Sequence, residues 1–265
     1  MKANSLNLSG LSNYIITSPL DQFEINNLLS LDISFLGNTE IAITNMGIYL
    51  ILASIIVLML NILPNFEKVV ANKWSVALES LYATIHSIVR NQINSRNGQI
   101  YFPFIFTLFI FILINNLIGM MPYSFASTSH FILTFALSFT IVLGATILGF
   151  GKHSWKFFSL LVPSGCPLAL LPLLVLIELI SYLARNISLG LRLAANILSG
   201  HMLLNILAGF TYKIMTNGVL LFFSGVLPLL FIIAFSGLEL GISFIQAQVF
   251  CVLSCTYIKD GLDLH

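Results

Sequence analysis

Charge is what this chain has least of. Lys, Arg, Asp and Glu together make up 8% of its 265 residues, where a soluble domain carries about 25%. That scarcity excludes a soluble globular fold. With 58% hydrophobic residues, the chain reads as an all-α polytopic membrane protein. The few charges nearly cancel, at a net +1, so nothing draws the chain to nucleic acid. Cysteine is as scarce. Cys166, Cys251 and Cys255 lie in or beside apolar segments. Cys251 and Cys255 are one helical turn apart, as two ligands of a metal would be. No further cysteine or histidine stands at ligand spacing, so they read as small buried hydrophobes, and no metal or cofactor is expected. Residues 1–25 lack the continuous apolar core of a signal peptide.

What is present is a series of long apolar runs. A bilayer core needs about 20 apolar residues per helix. Residues 41–63 form the first span, stopped by Pro64. Residues 65–98 place Val69, Val70, Leu78, Leu81, Ile85, Ile88 and Val89 at helical spacing against a polar face, the pattern of an amphipathic helix on the membrane surface. Two compact spans fill 101–149 as a hairpin, joined by PYSFASTS. The region 168–258 then holds two apolar stretches, 168–210 and 219–258. Upright helices of that size would be about 60 Å long, twice the hydrocarbon thickness. Either each stretch is broken into two spans, or each is one steeply tilted helix. No proline falls between Pro172 and Pro228, which favours one helix for the first stretch; Pro228 is a candidate bend in the second.

This gives about five crossings, with an N-terminal segment over 1–40 and a single membrane domain over 41–265. Lys68, Lys73, Arg90, Arg96, Lys152, Lys156 and Lys259 then share one side. The other side holds Lys2 and Lys213 together with Asp21, Glu24, Asp32 and Glu40. The positive-inside rule puts the surface helix and C-terminus in the inner compartment and the N-terminus outside.

The two long stretches carry the chemistry. Glu178, Arg185, Arg192 and Asn196 fall within about 40° of arc on one helix face, bordered by Ser181, Ser188 and Ser199. Glu239 and Gln246 share a face of the second stretch, with Ser236 and Ser243 nearby. Ionisable groups inside a membrane mark ion or proton paths. Plainer readings exist: an Arg185–Glu178 structural ion pair, a Glu239–Gln246 hydrogen bond, and a satisfied buried histidine at His201. Arg192 resists such a reading. Arginine stays charged, mid-membrane placement costs about 2.5–3.5 kcal/mol, and no carboxylate stands at i±3 or i±4, where an intrahelical pair would form. Gly190, Ala194, Ala195, Ser199 and Gly200 make its surroundings small, which points to a partner helix from another chain.

The segment SLGLRLAANILSGH, from Ser188 to His201, resembles the signature of ATP synthase subunit a in its mitochondrial form. So do GISFIQAQ around Gln246, SPLDQFEI near the N-terminus, YFPFIFTLF, MPYSFA, and YIKD near the C-terminus. SPLDQFEI and the closing Leu264–His265 are most similar to the fungal proteins. The resemblance implies that Arg192 faces the proton-carrying carboxylate of a rotating c-ring, supported by Ser188 and Arg185. It implies that Glu239 and His201 belong to an outer, intermembrane-space half-channel with Asn196, Gln246 and Asn116. Glu178 and Asp260 then belong to the matrix-side path. It further implies that the two long stretches form a tilted helical hairpin, and that residues before Thr17–Ser18 are a removable leader. The implied partners are the c-ring, peripheral-stalk and other Fo subunits, the lipid bilayer and protons. Such a chain handles charge rather than bond-making, so no catalytic nucleophile is expected. Two rivals carry different consequences. A secondary transporter would bind an anion at Arg192 and show repeated halves; a purely structural subunit would tolerate neutralised charges.

Overall fold

A computed structural model describes residues 20–33, 39–62, 72–93, 98–121, 124–162 and 170–262. Among these, seven α-helices follow a short N-terminal hairpin: α1 Asn45–Ile62, α2 Lys73–Gln92, α3 Gly98–Gly119, α4 Phe131–His153, α5 Leu171–Thr216, α6 Val219–Ser224 and α7 Val226–Leu262. Four helices are long and apolar enough to cross a membrane, and α1 is a shorter apolar one. The segment before Thr17–Ser18, Cys166, and Leu264–His265 lie outside the described residues.

The core is built on α3. In its most apolar window 61% of residues are buried, against 28% for α4, 11% for α5 and 6% for the α6–α7 stretch. Its length carries Phe102, Ile105, Phe109 and Ile112 inward, where they meet Ile85 and Val89 of α2 and Phe250 and Cys251 of α7. Cys251 and Cys255 are fully buried, packed as small apolar groups. A transmembrane helix that hides most of its surface needs neighbours all round it. Much of α5 and the first half of α7 instead stay uncovered, while from Ser243 onward α7 turns into the core.

Both long stretches are helical over lengths that no upright span needs. The 46 residues of α5 extend about 69 Å and the 37 of α7 about 55 Å. Either helix must tilt steeply to stay within a core of about 30 Å. The first stretch is a single helix, as its lack of proline predicts. The second breaks at Gly225, between α6 and α7. Pro228 has no N–H to give Ser224 O four residues back, and its ring crowds that carbonyl, so the interruption at Gly225 falls where a bend from Pro228 is expected.

The amphipathic helix α2 starts from Asn72, whose Oδ1 accepts the N–H of Lys73 at 2.8 Å. Its Ile85 and Val89 are buried and the opposite face is open. Residues 65–71 and 94–97 of the expected 65–98 helix are outside the described set.

The N-terminal segment holds structure that hydropathy does not reveal. Strands β1 Asn27–Ile33 and β2 Thr39–Thr44 pair antiparallel, with Asn27 opposite Thr44 and Ile33 opposite Thr39. Residues 41–44, placed in the first span on apolarity, therefore belong to β2, and α1 begins at Asn45. Alternating side chains in TEIAIT suit a strand, and the pairing outweighs their hydropathy.

Candidate functional site

The polar groups of α5 and α7 gather into two clusters. The first forms where the start of α5 meets the end of α7. The guanidinium of Arg185 donates from Nη2 to Glu178 Oε1 at 3.3 Å and lies 3.6 Å by Nη1 from Asp260 Oδ2. Glu178 and Arg185 meet because seven residues make two turns. Asp260 arrives from the other helix, whose end is fixed by Lys152 Nζ donating to Leu262 O at 2.9 Å. The structural pair Arg185–Glu178 is thus realised but opened to a second carboxylate. All three side chains are a third or more exposed, so each contact contributes no more than about 1 kcal/mol. Tyr182 and Tyr257 lie within electrostatic reach of Arg185 and Asp260.

The second cluster sits where the later half of α5 crosses the middle of α7. His201 Nε2 is 3.8 Å from Glu239 Oε1. Glu239 is only 4% exposed, yet neither carboxylate oxygen has a hydrogen-bond partner within the described residues, nor has His201 Nε2. The simple Glu239–Gln246 hydrogen bond is therefore not made; Gln246 stands half-buried two turns further on. Asn116 of α3 reaches the same region, donating from Nδ2 to Ser243 O at 3.4 Å. Its Oδ1 has no partner. Buried polar atoms left this open are rare in a finished core.

Two cavities flank Glu239. One, of about 780 Å³, is lined by Tyr49, Ser124, His201, Asn205, Ser236 and Glu239 among others. The other, of about 200 Å³, includes Asn196, Ser199, Gly200 and Glu239. Glu239 forms part of both walls. Gly200 permits this: a Cβ there would lie 2.5 Å from Glu239 Oε1.

Arg192 lies between the clusters, about 10 Å along α5 from Arg185 and about 14 Å from His201. It is exposed, as are Ser188, Ala195 and Ser199 around it. No hydrogen bond or ion pair holds it among the described residues. Its small neighbours divide into two sets. Gly190 packs on α4, where a Cβ would be 3.0 Å from Ser138 Oγ, and Ala194 is fully buried, so these serve contacts within the chain, as Gly200 does. Ala195 and Ser199 alone leave the open face low.

The family of ATP synthase A chains matches residues 46–259. This chain belongs to that family. The subunit a family match runs from α1 to residue 259 in α7, so it includes the second cluster, Arg192, and Glu178 and Arg185 of the first cluster, and stops one residue before Asp260. Curated relatives bear the same name over nearly the whole chain. One from Neurospora crassa is 72% identical over 99% of this chain and 100% of its own length. One from Podospora anserina is 74% identical over 94% and 95%, and one from Emericella nidulans 69% over 94% and 98%. Membership assigns the chain to the proton-conducting membrane sector and decides against an anion transporter.

Some residues of the subunit a site carry no signal in the sequence. Tyr182 and Tyr257 look like ordinary apolar-helix aromatics until α5 and α7 are paired. Asn205, Ser236 and Tyr49 line the large cavity from three different helices, an arrangement only the fold creates. Gly200 carried a signal, its smallness, but that smallness admits Glu239 rather than a foreign helix.

Proposed function

We propose that this chain is the stator subunit of a mitochondrial ATP synthase, a multi-pass protein of the inner membrane with its N-terminus in the intermembrane space and its C-terminus in the matrix. It offers two offset proton half-channels to a rotating ring of carboxylate-bearing hairpin proteins, beside the peripheral stalk and other membrane subunits. The observation that carries this reading is Arg192: a permanent charge on an uncovered apolar face, with no hydrogen bond or ion pair among the described residues, midway between the two clusters.

Protons arrive from the intermembrane space through the large cavity and reach His201 and Glu239. Asn196 and the small cavity beside Glu239 lead on towards the Arg192 face; Asn116 and Gln246 border this path. A ring carboxylate takes the proton there. Neutralised, it can turn into lipid, because the cost of exposing its charge has gone. After nearly a full turn it meets the first cluster, where Glu178 and Asp260, held by Arg185, draw the proton towards the matrix. Arg192 favours the ionised form of each carboxylate that passes it, as an opposite charge does. It cannot relay a proton itself, so it separates the half-channels. Ser188 lies one turn before it on the same face. The membrane potential supplies about 2.3 kcal/mol per charge per 100 mV.

Arg192→Ala tests this. The complex should assemble, because Arg192 makes no hydrogen bond or ion pair among the described residues, while proton-driven ATP synthesis is lost. Normal synthesis by the assembled variant would remove Arg192 from the mechanism.

A further inference from the structure

Residues 20–25, the described part of SPLDQFEI, have no place in the path described so far, yet the fold brings Gln22 and Phe23 to the second cluster. The 3-10 turn Asp21–Phe23 lies over the large cavity, where Gln22 joins Asn45, Tyr49 and His201 in the lining. The ring of Phe23 meets the His201 imidazole edge to face, with centroids 6.4 Å apart and planes at 70°. That spacing and angle suit an attractive aromatic pair.

The turn is held there by the start of α1. Asn45 Nδ2 donates to Glu24 O at 3.0 Å, and the Asn45 backbone N–H donates to Asn26 O at 3.1 Å. The hairpin β1–β2 explains how these residues meet: its register sets Asn27 opposite Thr44, so the chain before β1 returns to the residue after β2. Asn45 thereby ties the turn to a membrane helix at two points. Within the turn, Phe23 N–H donates to Leu20 O at 3.0 Å.

His201 needs such support. Its Nε2 has no hydrogen-bond partner among the described residues and stands 3.8 Å from Glu239 Oε1, beyond hydrogen-bond range. Packing must then set the plane of its ring. On the side of the α3 terminus stands Gly119, which has no side chain to press on it. Phe23 supplies the aromatic contact.

We propose that the N-terminal turn is a wall of the proton-uptake vestibule and that Phe23 is a positioning residue, holding the His201 ring towards Glu239. This rests on the reading of His201 and Glu239 as the uptake pair. The turn then belongs to the transport machinery rather than to a passive extension.

The test uses the intact complex in membrane vesicles, with synthesis scaled to assembled complex. Phe23→Ala and the better-filling Phe23→Leu should each slow proton-driven ATP synthesis about two- to tenfold, the worth of one aromatic pair. Phe23→Tyr, which keeps the ring, should restore it. In a His201→Ala background, Phe23→Leu should add no further loss, because its effect runs through His201. Wild-type synthesis by Phe23→Leu, or an equal loss in both backgrounds, would overturn the positioning role and leave the uptake pair standing. Unchanged synthesis by His201→Ala alone would overturn the uptake pair, and the positioning role with it.

Discussion

Replacing Gly200 by alanine adds one methyl group to α5 at the point where α7 brings Glu239 closest. That methyl carbon would sit 2.5 Å from Glu239 Oε1, 2.7 Å from its carboxyl carbon and 3.1 Å from its Cγ. Ordinary contact lies near 3.5 Å, so the carboxyl group must move by about 1 Å. The stability effect is small for two reasons. The displaced atoms are the end of a flexible side chain, which places the overpacking cost towards the low end of about 1–3 kcal/mol. Alanine in place of glycine mid-helix returns roughly 0.5–1 kcal/mol. Function is affected differently. Glu239 lies between two cavities and already 3.8 Å from His201; a shift of about 1 Å in a reacting geometry can cost roughly a hundredfold. Gly200→Ala should therefore give assembled complex with ATP synthesis lowered at least about tenfold. Gly209→Ala is the control. It lies on the same helix with open space where its Cβ would stand, and should synthesise ATP like the parent. Equal rates for the two variants in vesicles energised to the same potential would refute the claim that the Glu239 position governs proton uptake.

Two further predictions rest on the first cluster and on the α3–α4 connection. Arg185→Ala leaves Glu178 and Asp260 without the charge between them. Because these side chains are partly exposed, assembly should change by no more than about 1 kcal/mol, while proton release slows; synthesis equal to that of the parent would reduce Arg185 to a surface pair. His130, at the turn before α4, stacks on Phe125 with centroids 5.1 Å apart and has a buried Nε2 without a hydrogen-bond partner among the described residues. Burial lowers its pKa from 6.5, so the unfolded chain binds a proton first as pH falls. The connection should be most stable above about pH 6.5 and lose protection below it, read by hydrogen exchange of residues 124–134. His130→Gln should remove that dependence; its persistence would assign the effect to another group.

The sequence reveals this fold unevenly, and the reasons are physical. Apolar length alone locates α3, α4, α5 and α7, because a bilayer demands it. The same signal misplaces the start of α1, since the last four residues of the alternating strand β2 look as greasy as a helix end. Glu178 and Arg185 are legible as a pair from their spacing on one helix. Asp260 is not, because its partner is on another helix and only packing sets the register. Arg192 is legible as an anomaly through its charge and the missing intrahelical carboxylate. Glu239 and His201 come together through a glycine whose role no periodicity reports. Phe23 is the furthest from view: its approach to His201 depends on a hairpin closing back on Asn45.

On this reading Arg192 has no ion pair among the described residues because its partner is a carboxylate of another chain that moves past it. The most direct measurement is a structure of the intact complex, reading the distance from the Arg192 guanidinium to the nearest carboxylate of another chain. The account predicts a ring of hairpin proteins against the exposed Ser188–Ser199 face of α5, with a carboxylate passing at the height of Arg192, directly or across one water. A face covered only by lipid, or by a static subunit with no acidic side chain at that height, would contradict it.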